Sequence, residues 1–414
     1  MSPRPVVFGL LGVFLAQLCH AQTLQLDLFT LEPPHYQTGA AGVGDTTEAL
    51  GEAVETIQCA AARAGWSARI RVAPPNRAVY SLKRNLIDGY FPVAPSSSLD
   101  AIAVRTNPVA LAKWFFFSTE KAFDPYTARI GVVRGSQEAA WLTAQGYDIY
   151  LSVVSASQLS ALLRVGRIDA ALMDVREMAG YSTELKRPTE LLHSHFVRFA
   201  PLYLYLGGGF TEKHPKVADQ LNRFLPDCMK TALTLTDDEE RFLREKAQGL
   251  FRELEAIVSL ERALADGPRQ PTLADILNID VQWKALAPEM PVDLAEQILS
   301  LPASNLLRTW QMSHPGLITE VMIINEMGTL AAISQLTSDY WQGDEPKFQE
   351  AFNRVTSERF SGASLFVSPI RFDASTRQFQ VTVSAPFAPV TGSGNHGVIS
   401  IGLNVSEALQ GMQH

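Results

Sequence analysis

Beyond its first two dozen residues the chain has no uncharged apolar run of the roughly 20 residues that a membrane-spanning helix needs. It has no CxxC and no HExxH, which removes the motif-defined metal sites. A nucleophile elbow and a phosphate-binding loop are also missing. Base is not in excess: 35 Lys and Arg stand against 43 Asp and Glu, for a formal charge of −8. Such a balance argues against nucleic acid or an anionic membrane as the main partner. Cysteine is scarce, with 3 in 414 residues, so the fold must be held by buried apolar surface rather than by a disulfide framework.

What is present starts with MSPRPVVFGLLGVFLAQLCHAQ, one Arg, an apolar run and small residues before Gln22, the order of a secretory signal peptide. Cleavage is expected after Ala21. A lipid anchor at Cys19 is the rival, but Ala16, Gln17 and Leu18 before it lack the expected Leu and small residue. Residues 22 onward are therefore expected to be soluble in the periplasm. Removing residues 1–21 takes away one base, Arg4, and no acid, which leaves −9. Cys59 and Cys228 remain, an even count in a disulfide-permissive compartment. Either they form one bridge or they are two buried thiols.

At 46% hydrophobic and 19% charged, the composition is that of an ordinary globular protein, and its length suits two or three domains. From Leu24 short β-type runs alternate with helical stretches: LQLDLF, TTEALGEAVETIQCAAARAG, ARIRVAP, RAVYSLKRNLIDGYFPV. The alternation resumes from ARIGVVRGSQ to MAGY, and RFAPLYLYLGGGF returns as a strand toward the first half before an amphipathic helix, HPKVADQLNRFLPDCMKTAL. Two α/β halves with two crossings describe a two-lobed clamshell. Residues 236–268 are expected to form an amphipathic connector helix capped by Thr236. Residues 270–414 read as an α+β domain: helical DLAEQILSLPASNLLRTWQMS, strands ITEVMIIN and LAAIS, helix KFQEAFNRVTSERF, then strands SLFVSPIRF, RQFQVTVSAPF and GVISIGLNV.

PPNRAVYSLKRNLIDGYFPVAPSSSLDAIAVRTNPV, IGVVRGS and GRIDAALMD resemble segments of the type 2 periplasmic solute-binding proteins, in the amino-acid-binding subgroup, over about residues 24–230. The resemblance implies a cleft ligand held by helix N-termini, backbone amides and a few side chains. On this chain it points to Ser136 after Gly135, to Asp174 as acceptor for a ligand amine, and to Tyr36 as the aromatic after the first strand. Each also has a plain structural reading as a cap, a surface acid or loop packing. The family's carboxylate-clamping Arg falls on Leu99, which cannot neutralise a carboxylate. Arg77 and Arg105 are the substitutes, and each reads equally as a solvated charge.

ITEVMIINEMGTLAAISQLTSDYWQGDEPKFQEAF and the strands after it resemble a Cache sensor domain, a relative of the PAS fold, over about residues 285–408. That resemblance puts Tyr340, Trp341 and Asp344 at a pocket, and Arg371 and Ser384, on neighbouring strands with period-two alternation, are weaker candidates. The structural alternative has Tyr340 and Trp341 pin the loop to the sheet. Asn325 stands where the family has an Asp before its Gly turn, which implies a looser turn.

The organisation expected is thus a signal peptide at 1–21, an α/β two-lobed clamshell at 22–234, a connector helix at 235–269 and an α+β Cache/PAS-like domain with an antiparallel sheet at 270–414. The function expected is binding of a small polar solute, without catalysis, cofactor or metal. A separate membrane partner, a sensor kinase, chemoreceptor or cyclase, would read it. The alternatives are the binding component of an ABC transporter, with its permease as partner, and an interaction scaffold with degenerate pockets. Two copies would pair through the front helix of the last domain, 292–312.

Overall fold

The computed structural model describes residues 24–30, 49, 51–178, 192–229, 234–286, 293–354, 360, 362, 364–387 and 396–412. Residues 1–21, expected to be a signal peptide, and Tyr36 lie outside them. The first half of the chain supplies β1 (Gln25–Thr30), α1 (Glu52–Arg63), β2 (Ser67–Val72), α2 (Pro75–Lys83), β3 (Gly89–Val93), α3 (Ser97–Asp100) and β4 (Ala103–Ser118). Next come β5 (Ile130–Val133), α4 (Gln137–Ala144), β6 (Ile149–Val153), α5 (Ala156–Arg164), β7 (Ala170–Asp174), β8 (His193–Gly207), α6 (Gly208–Lys213) and α7 (Val217–Cys228).

These strands form one mixed sheet in the order β2-β1-β3-β8-β4-β7-β5-β6. β1 pairs parallel with β2 and β3 at one end, and β5 pairs parallel with β6 and β7 at the other. The two ends are joined by β4 and β8, long antiparallel strands paired from Ala103 with Gly207 to Ser118 with His193 with three register shifts between. This is the two-lobed α/β arrangement expected, with β4 and β8 as the crossings. Their sequences explain their place: VALAKWFFF and APLYLYL are near-continuous apolar runs, as strands covered on both faces require. Cys59 of α1 and Cys228 of α7 are joined by a disulfide, which fastens the two helices of the first lobe together.

The C-terminal part supplies α8 (Asp237–Ile257), α9 (Leu260–Asp266), α10 (Leu273–Leu286), α11 (Asp293–Ser300), α12 (Pro302–Met312), β9 (Ile318–Asn325), β10 (Leu330–Ile333), α13 (Pro346–Phe352), β11 (Phe366–Val367), β12 (Arg371–Asp373), β13 (Gln378–Phe387), β14 (Gly397–Asn404) and α14 (Val405–Ala408). Its sheet is separate and antiparallel, ordered β10-β9-β14-β13-β11 with β12 also on β13, which is the α+β class expected.

The connector differs from the single helix expected over 236–268. Thr236 does cap α8, in a reciprocal capping box with Glu239, but the helix stops at Val258 and Ser259 opens α9 by accepting from the Arg262 amide. Likewise Pro302, which cannot donate to a preceding turn, starts α12 and divides the expected front helix. Pro369 falls between β11 and β12, so SLFVSPIRF is two strands. The turn at 325–328 is tight rather than loose. Asn325 Oδ1 accepts from the amides of Met327 and Thr329, at 3.0 and 3.1 Å, doing what an Asp would do.

Buried Leu243, Ala247, Leu250, Phe251 and Leu254 form one stripe of α8 at helical spacing. The stripe lies in a core shared by Leu111 and Phe199 of the crossing strands and by Val381, Val383, Ile399 and Ile401 of the second sheet. The C-terminal domain is therefore seated against β4 and β8, not hung from a free linker.

Candidate functional site

The cleft side of the second lobe is built by the residues that follow β5 and β7. After β5, Gly135 takes a positive φ of +73° and Ser136 caps α4, its hydroxyl accepting from the Ala139 amide at 3.1 Å. Gln137, the first residue of α4, reaches across to the end of β3. Its amide oxygen accepts from the Ala94 N–H and its NH2 donates to the Pro92 carbonyl. After β7, buried Asp174 accepts from the amides of Lys113 and Arg176 and from the Arg176 guanidinium, at 3.0 Å to Nε and 3.1 Å to Nη2. Arg176 also donates to the Leu111 carbonyl on β4 at 2.8 Å and lies 3.5 Å from Glu52, the first residue of α1 in the other lobe. The two lobes thus touch through Gln137 with Ala94 and through Arg176 with Glu52.

Arg176 lies near Glu52 and Asp174, and half-buried Glu138 on α4 faces the Asp174 and Glu177 carboxyls. Burial, then the charge of Glu177, pushes the Glu138 carboxyl up to about 7; the Ser136 hydroxyl pulls the other way.

Ser136 and Asp174, both singled out in the sequence, come together at this edge. Arg77 does not join them: it is exposed on α2, its guanidinium 5.9 Å from the Phe29 ring. Arg105 lies exposed over Tyr203, and Leu99 is buried in the first lobe. Arg176 was the residue missed. Its only sequence signal was its place two residues beyond the strand end that offered Asp174.

The second candidate face lies in the C-terminal sheet. Register places Glu320, Gly402, Thr382, Ser400 and Ser384 on one face, with Gln380 at its edge, and every side chain here is buried, Gly402 having none. A bulge in β9 lets both Thr319 and Glu320 reach Gln380, which accepts from the Thr319 hydroxyl and donates to Glu320 Oε1 at 2.9 Å. Burial raises the Glu320 and Asp339 carboxyls above their ordinary range, while the Lys347 charge lowers both. Ser384 and Ser400 hydroxyls meet at 2.9 Å on this face.

TSDYWQGDE covers one end of it. Tyr340 is fully buried, 5.5 Å from Trp283, and the Tyr340 and Trp341 amides both donate to Asp280 Oδ1 on α10, at 3.0 and 2.9 Å. Trp341 Nε1 donates to the Met327 carbonyl at 3.1 Å, and the ring lies against Gly343, where an added Cβ would sit 2.3 Å from it. Asp344 and Arg371 are exposed, the latter on the edge strand β12. Among the described residues there is no group of three or more His, Cys, Asp or Glu suited to a metal, and no helix long and apolar enough to cross a membrane.

No family model matches the chain, and no curated protein matches it. Solved structures similar to it include a histidine kinase sensor domain with similarity to periplasmic binding proteins, at 14% identity and a TM-score of 0.40, covering 49% of this chain and 89% of that one. An ancestral arginine-binding protein bound to arginine is similar at 14% identity and 0.38, over 49% and 91%. The GluR0 ligand-binding core from Nostoc punctiforme, in complex with L-glutamate, is similar at 12% identity and 0.39, over 49% and 92%.

Proposed function

We propose that the chain is an exported binding protein whose two-lobed domain takes a small polar solute bearing an amine. Its C-terminal domain would pass occupancy to a separate membrane partner. The observation that carries the reading is the cleft at Arg176: one guanidinium shared between Asp174, the Leu111 carbonyl and Glu52 of the opposite lobe, with Glu138 and Glu177 close by. An amine can replace the guanidinium on Asp174, and Arg176 is then released for a carboxylate if the solute carries one. Closure by a ligand is a population shift, and the solute must outcompete the Arg176 and Gln137 contacts that already join the lobes.

The seating of the C-terminal domain on β4 and β8 supports transmission, because both strands run through the two lobes and into the shared core. The Cache-like reading of that domain, the periplasmic location and a binding rather than catalytic role belong to the same proposal. A scaffold is the second reading, favoured by the direct lobe-to-lobe contacts of Gln137 and Arg176. A thermal-shift panel on the full chain separates them. Amines such as putrescine and arginine should raise the midpoint with concentration, as mass action requires, more than sugars or simple carboxylates do. Silence across the panel favours the scaffold.

A further inference from the structure

A cavity of about 310 Å³ lies beside the crossing strands, where the clamshell meets the C-terminal domain. β8 contributes Arg198 and Phe199, α4 contributes Trp141, and the C-terminal domain contributes Gln378, Phe379 and Ser406. None of these residues belongs to the cleft or to the polar sheet face described above.

Several polar groups of this cavity are left as donors, although the Glu407 carboxylate also lines it and its charge acts on Arg198. Asn404 Oδ1 accepts from the backbone amides of Ser406 and Glu407, at 2.9 and 3.1 Å, so its NH2 group must be the one that meets Gln378 Oε1 at 2.7 Å. Gln378 is thereby left with its own NH2 to donate. Ser406 Oγ accepts from the Phe199 amide at 3.2 Å, which leaves its hydroxyl hydrogen to donate as well. Among the described residues, Nε is the one nitrogen of Arg198 with a protein acceptor, the Phe199 carbonyl at 3.2 Å, so the two terminal amino groups remain. Arg198 is half-buried, its guanidinium 5.9 Å from the rings of both Trp114 and Trp141. Arg377 adds a second, exposed positive charge at the rim, against one exposed acid, Glu407.

We infer that this junction is a second binding site, for a small organic carboxylate with a planar apolar body. The carboxylate would be held by Arg198, Gln378 and Ser406, and the body would lie against Trp141, Phe199 and Phe379. A guanidinium with two free amino groups is suited to bidentate capture of a carboxylate, and aromatic walls with few fixed polar groups are the usual make-up of a small-molecule pocket. Because Trp141 belongs to the second lobe and Ser406 to the C-terminal domain, an occupant touches both and favours the lobe position in which they are close. The inference does not depend on the cleft reading.

The test is isothermal titration of the full chain with benzoate, phenylacetate and 3-phenylpropionate, and with phenylacetamide as the uncharged match. At least one carboxylate should bind saturably and phenylacetamide roughly tenfold or more weaker. Arg198→Gln should weaken the carboxylate roughly ten- to hundredfold, as expected when a hydrogen-bonding partner of a charge is lost. Gln378→Glu, at a partly exposed position where folding should be unaffected, should do the same by placing like charge against the ligand. No saturable binding by any of the three, or binding that is indifferent to both substitutions or equal for phenylacetamide, overturns the inference.

Discussion

Lys113 of β4 places its ammonium 2.5 Å from Glu239 Oε1 of α8, and both side chains are almost fully buried. Glu239 is at the same time the capping-box residue, its other oxygen accepting from the Thr236 amide at 2.9 Å. One carboxylate therefore starts the connector helix and binds it to a crossing strand. Removing one partner of a buried pair leaves an unpaired charge and costs about 3–5 kcal/mol. Lys113→Met should lower the denaturant-derived stability by that order. Glu239→Gln isolates the charge, because Gln can also serve the capping box. The double substitution should recover a large part of either single loss.

The Cys59–Cys228 disulfide closes a long loop and ties α1 to α7. Cys59→Ser with Cys228→Ser should destabilise by about 2–4 kcal/mol. Comparing chemical denaturation midpoints with and without reductant checks it: the double variant should be insensitive to reductant.

Asp280 holds the TSDYWQGDE segment through two backbone amides. Asp280→Ala strands both donors and should cost about 1–3 kcal/mol per unsatisfied group. Faster amide hydrogen exchange at Tyr340 and Trp341 is the reading that checks it, since an exposed loop would show no change.

Glu138 sets a pH dependence. Its folded carboxyl holds a proton up to about 7, higher than in the unfolded chain. The folded state thus binds more protons between the ordinary glutamate range and 7, and stability falls as pH rises through that window and levels off above it. Glu138→Gln should flatten this slope. Glu320 and Asp339 shift in the same direction, so the quantity to compare is the difference between wild type and variant across pH.

The α/β alternation could be read from the sequence because buried strands such as ALMD and VALAKWFFF are apolar runs between helical stretches. The break at Val258 and Ser259 could not, since the apolar spacing continues across it and only the Ser259 cap, a local hydrogen bond, ends the first helix. Ser136 and Asp174 were legible by their position after strands β5 and β7. Arg176 and Lys113 were not, because Lys113 pairs with distant Glu239 and Arg176 joins its neighbour Asp174 to Leu111 and Glu52, both far along the chain. Tyr340 and Trp341 announced a special segment, and tertiary packing on Trp283 and Gly343 gives them their surroundings.

The proposed binding of an amine in the cleft is tested most directly by titrating putrescine and arginine into the full chain by calorimetry, in buffers of different ionisation enthalpy, just below pH 7. A cation beside Glu138 should favour its ionised form, so the account predicts saturable binding accompanied by proton release. The release should vanish in Glu138→Gln, and affinity should fall in Asp174→Asn. Binding with no proton release, or with affinity unchanged by Asp174→Asn, would contradict it.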